Sequence, residues 1–317
     1  MSKRICLMGN RQLATDSLRL LRERFPETPL LVVLNPSDDG VDGPGGTSLR
    51  RLVEEAGIAH IQPKHVKSAE AREQLAAFAP DLILSCSYEK IVPEEVIRIP
   101  KDGALNVHYA ALPLNRGCFP VVWTIASGEA ELGVTLHEMT PGIDDGPILA
   151  QRRLPYQEGM TAGEAYRACA QAAVQMVGDF LTRYISDGVY GRQAQNEAAA
   201  TYHSSVHPYE RWIPWHRGAT EVARVINALT YVPHPSGRTC AGAEGKEIGL
   251  LGPAFAVNRQ DLAPGQVELL ADSAFIGTAD GAVRVTLARV GDAAVPVSNV
   301  LSGVASVTSP YREIYPQ

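Results

Sequence analysis

An excess of positive charge is missing from this sequence: 29 Lys and Arg face 35 Asp and Glu, for a net charge of −6. Proteins that bind by neutralising many phosphates concentrate cations on one face or segment. Here residues 206–317 carry 9 basic and 10 acidic side chains, and residues 1–205 carry 20 and 25. Neither part is a basic module. Long apolar runs are also missing; none approaches the roughly 20 residues that cross a bilayer as a helix, and the start Ile5-Cys6-Leu7-Met8-Gly9 is too short for a signal peptide. Cysteines are few. Cys6, Cys86, Cys118, Cys169 and Cys240 are an odd number without paired spacing, which points to reduced thiols and a cytoplasmic protein rather than a disulfide framework. No G-x-G-x-x-G follows the first strand, where Gly9-Asn10-Arg11-Gln12 has one glycine, so a nicotinamide dinucleotide is not expected. His203 and His207 have the spacing H-x-x-x-H, but Pro208 follows and no third ligand is evident, so no metal site is expected.

What remains is ordinary globular composition, 45% hydrophobic and 20% charged over 317 residues, a length that favours about two domains. Apolar runs alternate with helical patterns through the first 188 residues. Strands are expected at Arg4–Met8, Leu30–Leu34, His60-Ile61, Leu82–Cys86, Ala104–His108, Gly133–Met139 and Ile148–Leu154. Helices are expected at Asp16–Phe25, Ser48–Ala56, Ala69–Phe78, after Pro93, at Pro120–Ala126 and from Thr161 to about Ile185. This alternation predicts an α/β fold with a doubly wound, mostly parallel sheet. Polar, alanine-rich residues 189–208 read as a linker. Beyond them one helix, Ala219–Leu229, and short glycine- and proline-broken β runs predict a smaller C-terminal β-rich, OB-like domain over 209–317. Ligands of doubly wound sheets bind beyond the carboxyl ends of the strands. The loops after Met8, Ser87, His108 and Met139 are therefore the places to look for chemistry.

The most informative stretch is Asn106-Val107-His108-Tyr109-Ala110-Ala111-Leu112-Pro113-Leu114-Asn115-Arg116-Gly117. Residues two apart on a strand share a face, so Asn106 and His108 project together. An amide donor beside an imidazole suits acyl transfer: one stabilises an oxyanion, the other moves a proton. The same pair is also compatible with two hydrogen-bonded side chains closing a polar strand end. The second stretch, Thr140-Pro141-Gly142-Ile143-Asp144-Asp145-Gly146-Pro147, is an acidic loop flanked by glycines. A carboxylate from it against His108 would orient the ring and raise its pKa. Asp pairs in turns also arise for local backbone reasons.

Together these blocks resemble the folate-dependent formyltransferases. Asn106, His108, Leu112, Pro113, Arg116 and Gly117 meet the pattern N-x-H-x-S-L-L-P-x-x-[RK]-G, and Gly133-Val134-Thr135 with Gly142–Gly146 is similar to the family's G-V-T and G-x-D-x-G segments. Looser likeness runs through Gln62-Pro63, Ser87–Pro93 and Pro233–Thr239. The resemblance implies Asn106, His108 and Asp144 as catalytic residues and 10-formyltetrahydrofolate as co-substrate. It implies that the folate lies against Tyr88, Lys90, Ile91 and Val92, against Ala110, Ala111, Leu112 and Pro113, and against Thr140, Pro141, Gly142 and Ile143. Ala110 and Ala111 replace the usual Ser and Leu, which removes a hydroxyl. Cys118 is read as a small, half-buried side chain rather than a reactive thiol.

Members of this family formylate methionyl-tRNA, nucleotide-linked amino sugars, or small amines such as hydroxyornithine. The loop Asp38–Thr47 carries three aspartates and no Lys or Arg, and the second domain is near neutral. A small-molecule amine is therefore the favoured acceptor: a nucleotide-linked amino sugar first, through similarity around Arg116–Trp123 and Gly133–His137, then a siderophore or other natural-product amine. Arg11, at a helix start beside the crevice, is the candidate for a phosphate of that substrate. The partners expected are this amine and a second copy in a homodimer, without membrane or nucleic acid. Methionyl-tRNA formylation, hydrolysis of the folate to formate, and a folate-binding module with a dead site are the competing readings.

Overall fold

The structure, a computed structural model, describes residues 3–43, 46–187, 191–231 and 235–310. Pro44-Gly45 of the glycine-rich loop, Val189-Tyr190 of the expected linker and Pro233-His234 of the second-domain motif lie outside these residues, as does 311–317 of the C-terminal domain.

Contacts divide the chain into two compact units: residues 1–117, 133–154 and 168–202 in one, and 118–132, 155–167 and 203–317 in the other. This differs from the contiguous expectation of 1–188 and 209–317. One reason is the apolar helix Pro120–Ser127, whose Val121, Val122 and Ile125 are buried and which packs on the helix Ala219–Ala228 of the second unit.

The first unit is built on β1 (Ile5–Gly9), β2 (Leu30–Leu34), β3 (His60–Ile61), β4 (Leu82–Cys86), β5 (Ala104–His108), β6 (Glu131–Glu138) and β7 (Ile148–Pro155). They lie in the order β3-β2-β1-β4-β5-β6-β7. The first five are mutually parallel, and β6 runs antiparallel to β5. Their apolar runs are the mark of strands covered on both faces; β1 and β4 are buried along their whole length. On one face Cys6, Met8, Val33, Ile83, Leu75 and Val96 form a continuous core. Helix α1 (Arg11–Arg24) buries Leu13, Leu18, Leu20 and Leu21. It starts five residues before the expected Asp16 because the Asn10 side chain accepts the Arg11 N–H at 2.9 Å and so caps the helix. The strand order turns back between β1 and β4, which opens the crevice at their carboxyl ends.

The acidic loop before α2 (Leu49–Glu55) is less exposed than its composition implies. Asp38 is buried and accepts bonds from Ser48 Oγ at 2.6 Å and the Arg50 N–H at 3.0 Å. Asp42 accepts the Ser48 N–H and pairs with Arg51. Two of its three carboxylates therefore fix the start of a helix, the local role Asp plays near N-termini.

The second unit holds two antiparallel sheets, of five and four strands among the described residues. Val222 and Ile226 of the Ala219–Ala228 helix pack with Leu250, Ile276, Val283 and Val285 of these sheets in one core. Among the described residues no helix is long and apolar enough to cross a membrane.

In the first unit, Gly133 on β6 is set by close approach. A Cβ there would lie 2.2 Å from Ala111 N and 2.6 Å from Ala111 Cα, backbone atoms that cannot swing aside. Gly133→Val is expected to cost about 3 kcal/mol or more. Urea denaturation checks this, and a loss below about 0.5 kcal/mol would show that the backbone at Ala110–Leu112 yields freely.

Candidate active site

The end of β5 and its antiparallel neighbour β6 assemble the site. Their register pairs Asn106 with His137 and His108 with Thr135, and partners across a ladder share a face. The two-residue alternation thus brings Asn106, His108 and His137 to one side. The loop after β6 returns Asp144 to this cluster in the left-handed conformation, φ 51°.

Asp144 is the hub. Its Oδ2 accepts the Gly117 N–H at 2.9 Å and lies 3.5 Å from His108 Nδ1. Its Oδ1 lies 3.3 Å from His137 Nε2 and 3.4 Å from Asn106 Nδ2. Burial pushes this carboxyl's pKa up, but His108, His137 and the Gly117 N–H together outweigh it and hold it well below the usual carboxylate range. Asp144 is therefore ionised at neutral pH.

His108 is 7% exposed. Its Nε2 donates to the Asn115 carbonyl at 2.8 Å; a carbonyl only accepts, so Nε2 carries hydrogen. Nδ1 then faces the Asp144 carboxylate, a second group that only accepts. The imidazolium satisfies both neighbours, the neutral ring only one. Burial nevertheless dominates and lowers the His108 pKa, against the pull of Asp144 and the Asn115 carbonyl, with His137 adding to the fall. The expected upward shift is thus corrected: Asp144 acts in that direction, but desolvation of the ring is larger.

His137 was not singled out from the sequence as a site residue. It is 2% exposed and bonds the Glu138 carbonyl through Nδ1 at 2.9 Å, and its Nε2 lies 3.2 Å from Asn106 Nδ2 and 3.3 Å from Asp144 Oδ1. It orients the Asn106 amide. The Ala104–His108 and Gly133–Met139 runs held the signal for it, but only once paired antiparallel.

The segment read as a linker is tied to the same loop. Gln195 Nε2 donates to the carbonyls of Asp144 and Gly146 at 2.8 and 2.7 Å, while its Oε1 accepts from the buried Arg116 guanidinium. Arg116 also forks onto Glu197 at 2.7 and 2.9 Å, a bidentate geometry. Asn115 N–H donates to Thr201 Oγ1 at 2.7 Å. Arg116 thus braces the Asp144 loop through Gln195.

Residues assigned by resemblance to the folate fall into two groups. Ala110, Ala111, Leu112 and Val92 are buried, with Pro113 and Tyr88 partly so. Ala110 offers only its backbone there: its carbonyl accepts from Thr135 Oγ1 at 2.6 Å. Lys90, Pro141 and Gly142 are exposed and Thr140 partly so; Thr140 Oγ1 bonds the Asp145 carboxylate. Ile91 and Ile143 are 78% and 39% exposed, two of the few large apolar side chains left open to solvent. Tyr88 Oη is buried without a hydrogen-bond partner among the described residues, and burial pushes its pKa up to about 12. Two open isoleucines and an unpaired buried hydroxyl fit a flat heteroaromatic ligand with a polar edge.

Arg11 sits apart from this cluster in an ion pair with Glu89 at 3.1 Å. Glu89 also accepts from Asn10, Asn35 and Ser37. Burial raises its pKa, but Asn35, Arg11 and Asn10 outweigh it and lower it overall. In the second unit, His203 stacks on Trp123 at 4.1 Å and His207 on Phe119 at 3.9 Å, so both rings are packed against aromatics. Cys118 is exposed, not half-buried as expected, in the turn before the left-handed Phe119 that opens the Pro120–Ser127 helix.

An amide–imidazole–carboxylate cluster, its imidazole buried, at the carboxyl end of a doubly wound sheet is a constellation for acyl transfer. The formyl transferase family profile matches residues 24–181. A methionyl-tRNA formyltransferase of Desulfotalea psychrophila is 32% identical over 268 residues, 84% of this chain and 81% of its own. One from Marinobacter nauticus is 29% identical over 92% of this chain and 96% of its own. Among solved structures, an N-formyltransferase from Helicobacter canadensis, in complex with folinic acid and dTDP-3-aminofucose, superposes with a TM-score of 0.72 at 22% identity. It covers 90% of this chain and 99% of its own. HypX from Aquifex aeolicus in complex with tetrahydrofolic acid gives a TM-score of 0.60 at 22% identity, over 99% of this chain and 48% of its own. The chain belongs to the formyl transferase family. It is an N-formyltransferase of the folate-dependent kind.

Proposed function

We propose that the chain transfers the formyl group of 10-formyltetrahydrofolate to the amine of a small molecule, with Asn106, His108 and Asp144 as the reacting constellation. The observation that supports these roles is their convergence within 3.5 Å contacts at the end of β5. Bound there, the folate supplies an activated formyl carbon and a nitrogen leaving group. Ile91, Ile143 and the flanking loop backbones hold its ring. The acceptor must arrive as a neutral amine, and its nitrogen forms the new C–N bond as the old one breaks. Asn106 Nδ2, whose 3.4 Å contact with Asp144 is the weaker of its two, donates to the oxygen on which negative charge develops. His108, neutral at pH 7 with its lone pair at Nδ1 beside Asp144, takes there the proton lost by the attacking amine, becomes the imidazolium that Asp144 and the Asn115 carbonyl both favour, and returns it toward the leaving nitrogen.

For the acceptor, the charge balance of residues 206–317 supports a small molecule, a nucleotide-linked amino sugar before a siderophore or other natural-product amine. A tRNA substrate is favoured instead by the likeness to methionyl-tRNA formyltransferases, and the engagement of Asp38 and Asp42 by the start of the following helix removes part of the argument against it. Formylation of methionyl-tRNA and of a panel of nucleotide amino sugars and hydroxyornithine, at equal concentration and two salt levels, separates them. Turnover of a small amine with no tRNA product is the expected result. Efficient tRNA formylation that collapses with salt, with the small amines inert, would replace this reading by the second. Formate release alone, in the absence of any amine, would make the chain a hydrolase.

A further inference from the structure

We propose that the five-stranded sheet of the second unit carries a binding site for a compact phosphate or diphosphate group of a small molecule, built from Arg211, Arg238 and Arg289. These three line a cavity of about 430 Å³ with Ser236, Gly249 and Glu247. The ladder register creates it. Gly249, on the central strand of three, pairs with Arg238 on one side and Arg289 on the other, so two guanidiniums flank a position without a side chain on one face. A Cβ at Gly249 would meet Ser236 Oγ at 2.3 Å and Arg289 Cβ at 3.0 Å; glycine leaves the floor open beside this hydroxyl.

Arg211 is brought to this row by its own chain. Trp212 bridges to Arg238, and the Ile213 N–H bonds the Arg238 carbonyl at 3.0 Å. Tyr209, Glu210 and Arg211 all hold positive φ, at 51°, 50° and 71°, a run of left-handed non-glycine residues that the surrounding structure must enforce. Such strain gathers at functional positions. The Arg238 guanidinium lies 4.0 Å over the Trp212 ring, which fixes its plane, and its Nε is buried without a partner among the described residues.

Arg238 and Arg289 lie on strands separated by the Gly249 strand, and like charges brought to one cavity repel. Arg238 and Arg289 both depress the Arg211 pKa, burial being the larger cause and Glu247 opposing it. Two carboxylates lie beside these cations: Glu247 sits 3.5 Å from Arg238 and half exposed, and Asp292 pairs with Arg289 while fully exposed, with Arg289 Nε also donating to the Gly291 carbonyl at 3.0 Å. Exposed pairs of this kind hold little. A dianionic oxyanion would relieve the repulsion and engage planar forks that bind phosphate bidentately. Three cations converging on one cavity suit a single compact group, whereas an RNA backbone is met by a stripe of cations along a surface. The inference holds whichever amine is formylated.

Calorimetric titration of the full chain with pyrophosphate tests it, alongside Arg238→Gln, Arg211→Gln and Arg211→Lys, each checked for fold by circular dichroism. Saturable binding is expected, weakened about tenfold or more in both Gln variants and partly kept in Arg211→Lys. If Arg238→Gln fails to fold, the partly exposed Arg211 pair of variants decides. A nucleoside diphosphate that displaces pyrophosphate would make a nucleotide the source of the group; one that does not would leave the free anion. No saturation at millimolar pyrophosphate, equal affinity in wild type and Arg211→Gln, or RNA binding that pyrophosphate cannot displace would overturn the site.

Discussion

Alanine at His108 is expected to lower kcat by about 10²-fold or more while changing folate affinity far less, because the ring moves a proton rather than anchoring the ligand. Asn106→Ala is expected to cost a similar factor through the lost donor to the developing oxyanion. The geometry separates the two. His108 is held by backbone on one side, through Asn115, and by Asp144 on the other. Removing it empties a nearly buried space but leaves Asn106 fixed by His137 and Asp144. Removing Asn106 leaves the His108–Asp144 pair in place. Single-turnover formylation, which reads the chemical step apart from product release, is the measurement to use. Near-normal turnover in either variant would take that residue out of the mechanism. A proportional loss of folate binding would make the residue an anchor instead.

Most of the first unit could be read from the sequence because its signals are local. Leu30–Leu34, Ala69–Phe78, Leu82–Cys86 and Ala104–His108 are found at their expected bounds, each an apolar run or amphipathic pattern closed by polar, Gly or Pro residues. Asn106 and His108 were legible for the same reason, since a strand fixes their common face. His137 was not, because its place depends on β6 entering antiparallel in a sheet otherwise parallel up to β5, and strand order is not written in periodicity. Gln195 was missed for a different reason. A polar, alanine-rich stretch reads as solvated chain, yet its amide satisfies two loop carbonyls and a guanidinium, contacts made 49 and more residues away in sequence. The direction of the His108 shift was missed because burial is a property of the packed site, and here it exceeds the attraction of the one carboxylate that the sequence offered.

Asp144→Asn is expected to lower kcat by about 10²-fold while keeping the loop, and to move the acid limb of the pH–rate profile to lower pH. An amide retains an oxygen to accept the Gly117 N–H, so the turn at φ 51° is preserved. What disappears is the negative charge beside His108 Nδ1. That charge raises the His108 pKa against burial, so without it the ring holds a proton less readily and returns it less effectively to the leaving nitrogen. The same groups set a stability trend in the wild type. His108, with its pKa lowered by folding, contributes stability that is present above about pH 6.5 and lost as pH falls through its folded value. Asp144, also lowered, contributes stability above its unfolded value near 4 that is lost only in stronger acid. In the variant the carboxylate's share is gone, so acid unfolding below about pH 4 should be less steep than in the wild type. A pH–rate profile unchanged by Asp144→Asn, with catalysis intact, would reduce Asp144 to a residue that only shapes the turn.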